Sequence, residues 1–164
     1  MKTPIPAPPK PGMSILPREQ KTPHYLQTAF RAYIMQENTL QCGVYAGLGF
    51  EELQLPGIMV FAQSSEATTC GFGKTGNRVT TVAIVLQTAA SMPEEEHWDR
   101  WAEIEQMFDY RTPEMARRLT EASPELTFLN FEETQSMSNN VIENTRITQK
   151  QVAVLTALKQ EGGL

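Results

Sequence analysis

Cysteine and histidine are scarce in this chain, with two of each among 164 residues. Cys42 and Cys70 have 27 residues between them and no C-x-x-C pair, which excludes the common zinc and redox signatures. Two reduced thiols in an intracellular product are the expectation. His24 and His97 lie too far apart for the H-x-x-x-H spacing that puts two ligands on one helix face. Nucleophilic catalysis needs a Ser or Cys, a His and a carboxylate brought together, and no such set is recognisable. No catalytic residue, cofactor or metal ligand is assigned, and the chain is expected not to be an enzyme. Long apolar runs are missing too. None approaches the ~20 residues of a membrane helix, and the N-terminus lacks the apolar core of a signal peptide. A protein made and kept in a cytoplasm, without membrane contact, is expected. A basic excess is also missing. The formal charge of −5 argues against coating nucleic acid, because phosphate binding needs a basic surface.

What is present is 40% apolar and 20% charged residues, ordinary for a soluble globular protein. At this length that suffices for one domain with a real core. Proline is unevenly spread: seven of the eleven lie between Pro4 and Pro23. Proline blocks both helix and central strand, so residues 1–22 read as an extended arm of polyproline character. One domain follows over 23–164. The arm holds Lys2, Lys10, Arg18 and Lys21 against Glu19, a charge of +3, which leaves −8 on the remainder. Such an arm can lie on its own acidic body or on a neighbouring copy. Ile15 and Leu16 are apolar enough to dock, so Lys2, Lys10, Ile15, Leu16 and Arg18 are the candidate contacts with a neighbouring subunit.

The body is organised around Leu55 to Phe108. Ile58, Val60 and Ala62 alternate with Met59, Phe61 and Gln63, as in a strand. A second strand over Asn77–Thr88 sets Val82, Ile84 and Leu86 against Ala83, Val85 and Gln87. It is rich in β-branched residues, apolar on one face and only mildly polar on the other, so it suits a central strand or one whose second face meets something. Gly71, Gly73 and Gly76 between them predict an antiparallel hairpin with a long tip over Glu66–Gly76. Ser91 and Glu94 have capping-box spacing, with Pro93 in the first turn and Glu94, Glu95 and Glu96 at the positive end of a helix dipole. Trp98, Trp101, Ile104 or Glu105, and Phe108 form its inward stripe; Glu95, Asp99, Glu103 and Asp109 form an acidic outer face.

Upstream, Thr22 and Pro23 open a helix to about Asn38 with Leu26, Ala29, Phe30, Tyr33 and Ile34 buried. A short strand is expected at Cys42–Tyr45. Downstream, Thr112 and Pro113 open a helix to about Ala122, with Met115, Leu119 and Ala122 inward and Arg117 and Arg118 outward. Leu126–Thr134 reads as a third strand and Gln135–Thr145 as a polar loop. Arg146–Leu158 reads as a fourth strand with a polar outer half. The fold class is α+β: a mostly antiparallel sheet of four to five strands with helices packed on one face, plus the arm.

Gly71-Phe72-Gly73-Lys74-Thr75 has the end of a phosphate-binding loop, but the pattern needs a glycine at position 68, which is Thr68, and a helix afterwards. A hairpin tip is the better reading. His97 is expected to be a half-exposed helix residue, and Trp98 and Trp101 to be core, since a stacking platform for nucleic acid would want basic neighbours.

The segments LPGIMVFAQSSE, NRVTTVAIVLQTAA and EEEHWDRWAEIEQMF, then RITQKQVAVLTAL after a polar stretch, resemble in pattern and order the tail terminator (tail completion) proteins of long-tailed bacteriophages. The likeness runs over about Tyr25 to Leu158, with the Pro-rich arm outside it. It implies a hexameric ring that caps the tail tube, ends tube polymerisation and offers the head-joining surface, with no cofactor and no reaction. The implied partners are further copies of itself, the tail tube protein and a head-completion or neck protein. DNA would only pass through the lumen. The implied location is the virion neck, after assembly in the host cytoplasm. Long loops are often functional, which makes Phe72, Lys74 and Arg78 on one loop, and Met137 and Asn139 on the other, the candidate tube or neck contacts. Glu95, Asp99 and Glu103 would line an acidic lumen. The competing readings are another phage neck protein (head-completion, stopper or connector) and a small ligand-binding α+β domain.

Overall fold

The computed structural model describes residues 20–37, 42–47, 54–69, 74–108 and 113–159. Their elements in chain order are α1 (Thr22–Glu37), β1 (Gly43–Ala46), β2 (Gly57–Thr69), β3 (Lys74–Ala89), α2 (Glu94–Met107), α3 (Pro113–Ala122), β4 (Leu126–Ile142) and β5 (Thr145–Leu158). The strands form one sheet in the order β1-β2-β3-β5-β4. Only β1 and β2 run parallel; the other neighbours are antiparallel. β3 takes the centre, where a strand apolar on both faces belongs.

One face carries the main core. Val82, Ile84 and Leu86 of β3 and Val152 and Val154 of β5 pack there with Leu26, Phe30 and Ile34 of α1, Trp101 and Ile104 of α2, and Met115 and Leu119 of α3. Phe30 sits at its middle, with ring centroids 5.5 Å from Phe108, 6.2 Å from Phe128 and 6.4 Å from Phe131. These are the separations that favour aromatic pairs. The opposite face holds a smaller cluster of Met59, Ala83 and Val85, flanked by Phe61 and Ile147, with no helix residue in it. The helices therefore pack on one face of the sheet. The five buried positions expected in α1 are all buried, together with Thr22.

Several local expectations are corrected. Gln135–Thr145 is no loop: β4 continues to Ile142, and only Glu143 and Asn144 make the turn. Its Ser and Asn residues disfavour a strand locally, and pairing along β5 overrides that weak preference. The Glu66–Gly76 tip is also shorter, because β2 runs to Thr69 and β3 starts at Lys74. Helix α2 begins one residue past Pro93, which is itself the N-cap residue, and no side chain caps it. Its buried stripe passes through His97, Trp101, Ile104 and Phe108, with Trp98 half-buried beside it. Ala122 is exposed instead of inward. Arg118 is not simply outward; it lies over the Tyr33 ring at 5.4 Å and pairs with Glu37. The polar half of β5 is not an outer half, since Thr148 and Lys150 are buried there.

Candidate interaction surfaces

The two long hairpins point in opposite directions. β3 and β5 run antiparallel, with Ala89 beside Thr145 and Asn77 beside Ala157. The β4–β5 turn therefore lies at the Ala89 end of the sheet, and the β2–β3 tip at the other. Beyond Asn77, β3 continues to Lys74 with, among the described residues, only β2 beside it, so this hairpin projects past the described sheet. At the other end, the Ala90 N–H donates to the Asn144 carbonyl at 2.7 Å and ties the β4–β5 turn to the start of α2.

The two edges of the sheet differ. On the β2 side, β1 pairs with Gly57–Val60, and the Gly47 N–H donates to the Val60 carbonyl at 2.8 Å. Next along, Gln27 Oε1 accepts the Ala62 N–H at 2.7 Å. Arg78 then reaches over β2, its Nη2 donating to the Ser65 carbonyl at 3.1 Å and its Nε to Ser65 Oγ at 2.9 Å. On the β4 side, the Phe128 N–H donates to Thr120 Oγ1 of α3 at 2.9 Å. From Met137 to Ile142 every residue is exposed, and among the described residues no strand lies on the outer side.

The direction of the backbone groups on that bare stretch follows from the turn. Glu143 and Asn144 have φ of 49° and 62°, the type I′ arrangement of a two-residue hairpin. Such a turn closes on a hydrogen-bonded pair, here Ile142 and Thr145. The register is unbroken from there to Met137 and Lys150. Antiparallel pairing alternates, so Ile142, Asn140 and Ser138 spend their backbone groups on β5, and Met137, Asn139 and Val141 point theirs outward. Consistently, the Val141 N–H is taken by the Asn140 side chain at 2.8 Å.

Beneath the α2 end lies a buried polar node. His97 is fully buried, contrary to the half-exposed position expected. The sequence shows a helix histidine among glutamates; only the sheet beneath it covers the ring. Nδ1 lies 2.7 Å from Thr88 Oγ1 of β3 and Nε2 lies 2.7 Å from Thr148 Oγ1 of β5. Thr148 donates its hydroxyl to Asn139 Oδ1 of β4 at 3.2 Å, so it accepts from the His97 Nε2–H. Nδ1 is then the acceptor for Thr88. Burial pushes the His97 pKa below its ordinary value; Arg146 adds to this and Glu94 opposes it. Arg146 Nη1 lies 3.5 Å from Glu94. Both ring nitrogens are thus spent on the fold. The Cys42 thiol is pushed up by burial, against the pull of Arg100, whose Nη1 is 3.1 Å from the sulfur. That keeps it a protonated, unreactive thiol. Among the described residues no three His, Cys, Asp or Glu side chains gather as a metal site would, and no helix is long and apolar enough to cross a membrane.

The candidate contacts fall out as follows. Lys2, Lys10, Ile15, Leu16, Arg18 and Phe72 lie outside the described residues. Lys74 and Arg78 belong to strand β3, not to a loop, and Arg78 is engaged with Ser65. Met137 and Asn139 stand on the bare stretch of β4, again not on a loop. Glu95 and Asp99 are exposed and Glu103 is half-exposed, on the outer side of α2. What sequence reasoning missed is the edge itself. Its only local trace was the uncharged run Met137–Ile142, which has none of the lysines or prolines that guard exposed edges.

No family model matches the chain, and no curated protein does. Among solved structures, it is similar to a chain from the virion of a native gene transfer agent (GTA) particle, at 13% identity and a TM-score of 0.40, over 79% of this chain and 95% of that one. Neither family membership nor activity follows from a likeness at that level.

Proposed function

We propose that this chain is a structural protein of a phage-type virion, and within it a tail terminator. In this reading it forms a ring on the tail tube, stops tube growth and presents the opposite surface to the neck. The supporting observation is the placement of the two hairpin ends at opposite ends of one sheet. A spacer between a tube and a neck needs two such contact surfaces, and the order of elements resembles the terminator pattern. The ring is read as hexameric, assembled in the host cytoplasm, with a lumen through which DNA passes. Glu95, Asp99 and Glu103 on the outer side of α2 would line that lumen and repel the phosphates, so that DNA slides without sticking. The protein acts by surface and not by reaction; its buried histidine and buried thiol are both committed to the fold.

The decisive experiment is tail morphology. A phage lacking this protein should build overlong tubes, and complementation with the intact chain should restore tube length. Shortening the β2–β3 tip and changing Glu143→Lys at the two-residue β4–β5 turn should each leave folded protein, with tube capping lost in at least one case. Normal tube length in the null, with particles failing to join heads, would reassign the chain to a stopper or other neck role. Mapping α2 to the ring exterior would remove the lumen assignment alone.

A further inference from the structure

The bare stretch of β4 is built to receive a strand. We infer that two copies of this chain pair edge to edge through Met137–Ile142, antiparallel about a two-fold axis at Asn139, so that the two sheets become one. This inference concerns the free chain and does not rest on the ring reading: a ring whose copies all point the same way has no two-fold axis relating them, so the pair must part before such a ring closes.

Among the described residues, no strand takes up the outward N–H and C=O groups of Met137, Asn139 and Val141, and only the exposed Asn140 side chain holds the Val141 N–H; the register there is unbroken, and an exposed row of this kind is a template for another strand. Val141, Ile142 and Met137 are also 57%, 52% and 43% exposed, which is unusual for apolar side chains on an unguarded edge. The partner strand must come from somewhere. In a second copy the β2 edge is already spent on β1, Gln27 and Arg78, so it has little to offer. The β4 edge of the second copy has the complementary free groups. Placing Asn139 opposite its own equivalent sets Met137 opposite Val141 of the second copy, and Val141 opposite Met137. The outward-facing set reads apolar, polar, apolar in either direction, so the pairing is its own complement, as a two-fold interface requires. No like charges meet, because Met137–Ile142 has no charged residue, although the chain as a whole is acidic. The Asn140 side chain that now holds the Val141 N–H is itself exposed, and a partner carbonyl replaces it. A single short strand pair is small for an interface, so the association should depend on concentration.

The test uses the full chain. In a concentration series by analytical ultracentrifugation, the mass should rise from that of one chain to twice that. Val141→Pro removes an outward N–H without touching the β5 ladder, and should raise the dissociation constant at least roughly tenfold with an unchanged circular dichroism spectrum. Should that variant fold poorly, Asn139→Cys in a Cys70→Ser background gives a second readout. Across the proposed axis the two Cα atoms would lie about 5.5 Å apart, within disulfide reach, so oxidation should give a covalent dimer. Ser64→Cys in the same background, on the guarded edge, should not. A chain that stays monomeric throughout the series overturns the inference. So does a dimer or larger ring untouched by Val141→Pro, or cross-linking through Ser64→Cys in place of Asn139→Cys.

Discussion

The two edges of this sheet are a contrast in how a protein handles free backbone. On the β2 side, α1 reaches across with Gln27 to hold the Ala62 N–H, β1 takes Gly57–Val60, and Arg78 holds the Ser65 carbonyl. On the β4 side, among the described residues, α3 guards only the beginning, and the last six residues are bare. The described helices cover the sheet on one face only, and none of their described contacts reaches the far end of β4. The same edge anchors the buried node, since Asn139 on β4 ends the chain that runs through Thr148 and His97 to Thr88.

The largest expected effect strikes the support of the guarded edge. Phe30→Ala empties the middle of the aromatic cluster under α1 and should cost about 3–5 kcal/mol in denaturant unfolding. It should also loosen the Gln27 cap, seen as faster hydrogen exchange at Ala62. Gln27→Ala alone leaves that half-buried N–H without its acceptor and should cost about 1–3 kcal/mol. Gln27→Glu keeps an oxygen in place and should recover most of the loss. If Gln27→Ala has no cost, the guarded edge is not held by its caps and the contrast collapses.

The next effect concerns pH. The folded His97 has a pKa below its unfolded value, so as pH falls the unfolded chain takes up a proton before the folded one does. Stability should be full above about pH 6.5 and decline below it, by up to about 1.4 kcal/mol per pH unit for this group. Arg146 reinforces the decline and Glu94 moderates it. Thermal melts at pH 7.5 and 5.5 should show the loss, and His97→Gln should flatten it. An equal slope in that variant would place the titration elsewhere. The smallest effect tests strand parity on the bare edge. Asn140→Pro removes an N–H given to β5, whereas Val141→Pro removes one that only the Asn140 side chain holds; both variants lose that side-chain bond, so the difference between them is the ladder bond. The first should be less stable than the second by about 0.5–1.5 kcal/mol, the net worth of a ladder bond. Equal costs would mean that the outward assignment of Met137, Asn139 and Val141 is wrong.

Much of this architecture was legible in local pattern. Leu26, Ala29, Phe30, Tyr33 and Ile34 recur at helical spacing and are the buried face of α1. The β-branched run in β3, apolar on one face and only mildly polar on the other, reads as a central strand or one whose second face meets something, and it is central. Met137 and Asn139 were legible as exposed positions but not as a strand. A polar edge strand lacks the one-sided burial that creates alternation, so Ser138, Asn139 and Asn140 look like loop residues. His97 misled for a related reason: its neighbours in sequence are glutamates facing water, while its neighbours in space are two threonines from distant strands.

The sequence by itself therefore determined the elements whose side chains have a dry face, because burial writes a period of two or of nearly four into the residue order. Tertiary structure alone decided that β5 lies between β3 and β4, that the second hairpin is strand to its turn, and which backbone groups remain unspent. Those depend on pairing between residues far apart in the chain, and hydrogen bonds between main-chain atoms leave almost no mark on side-chain identity.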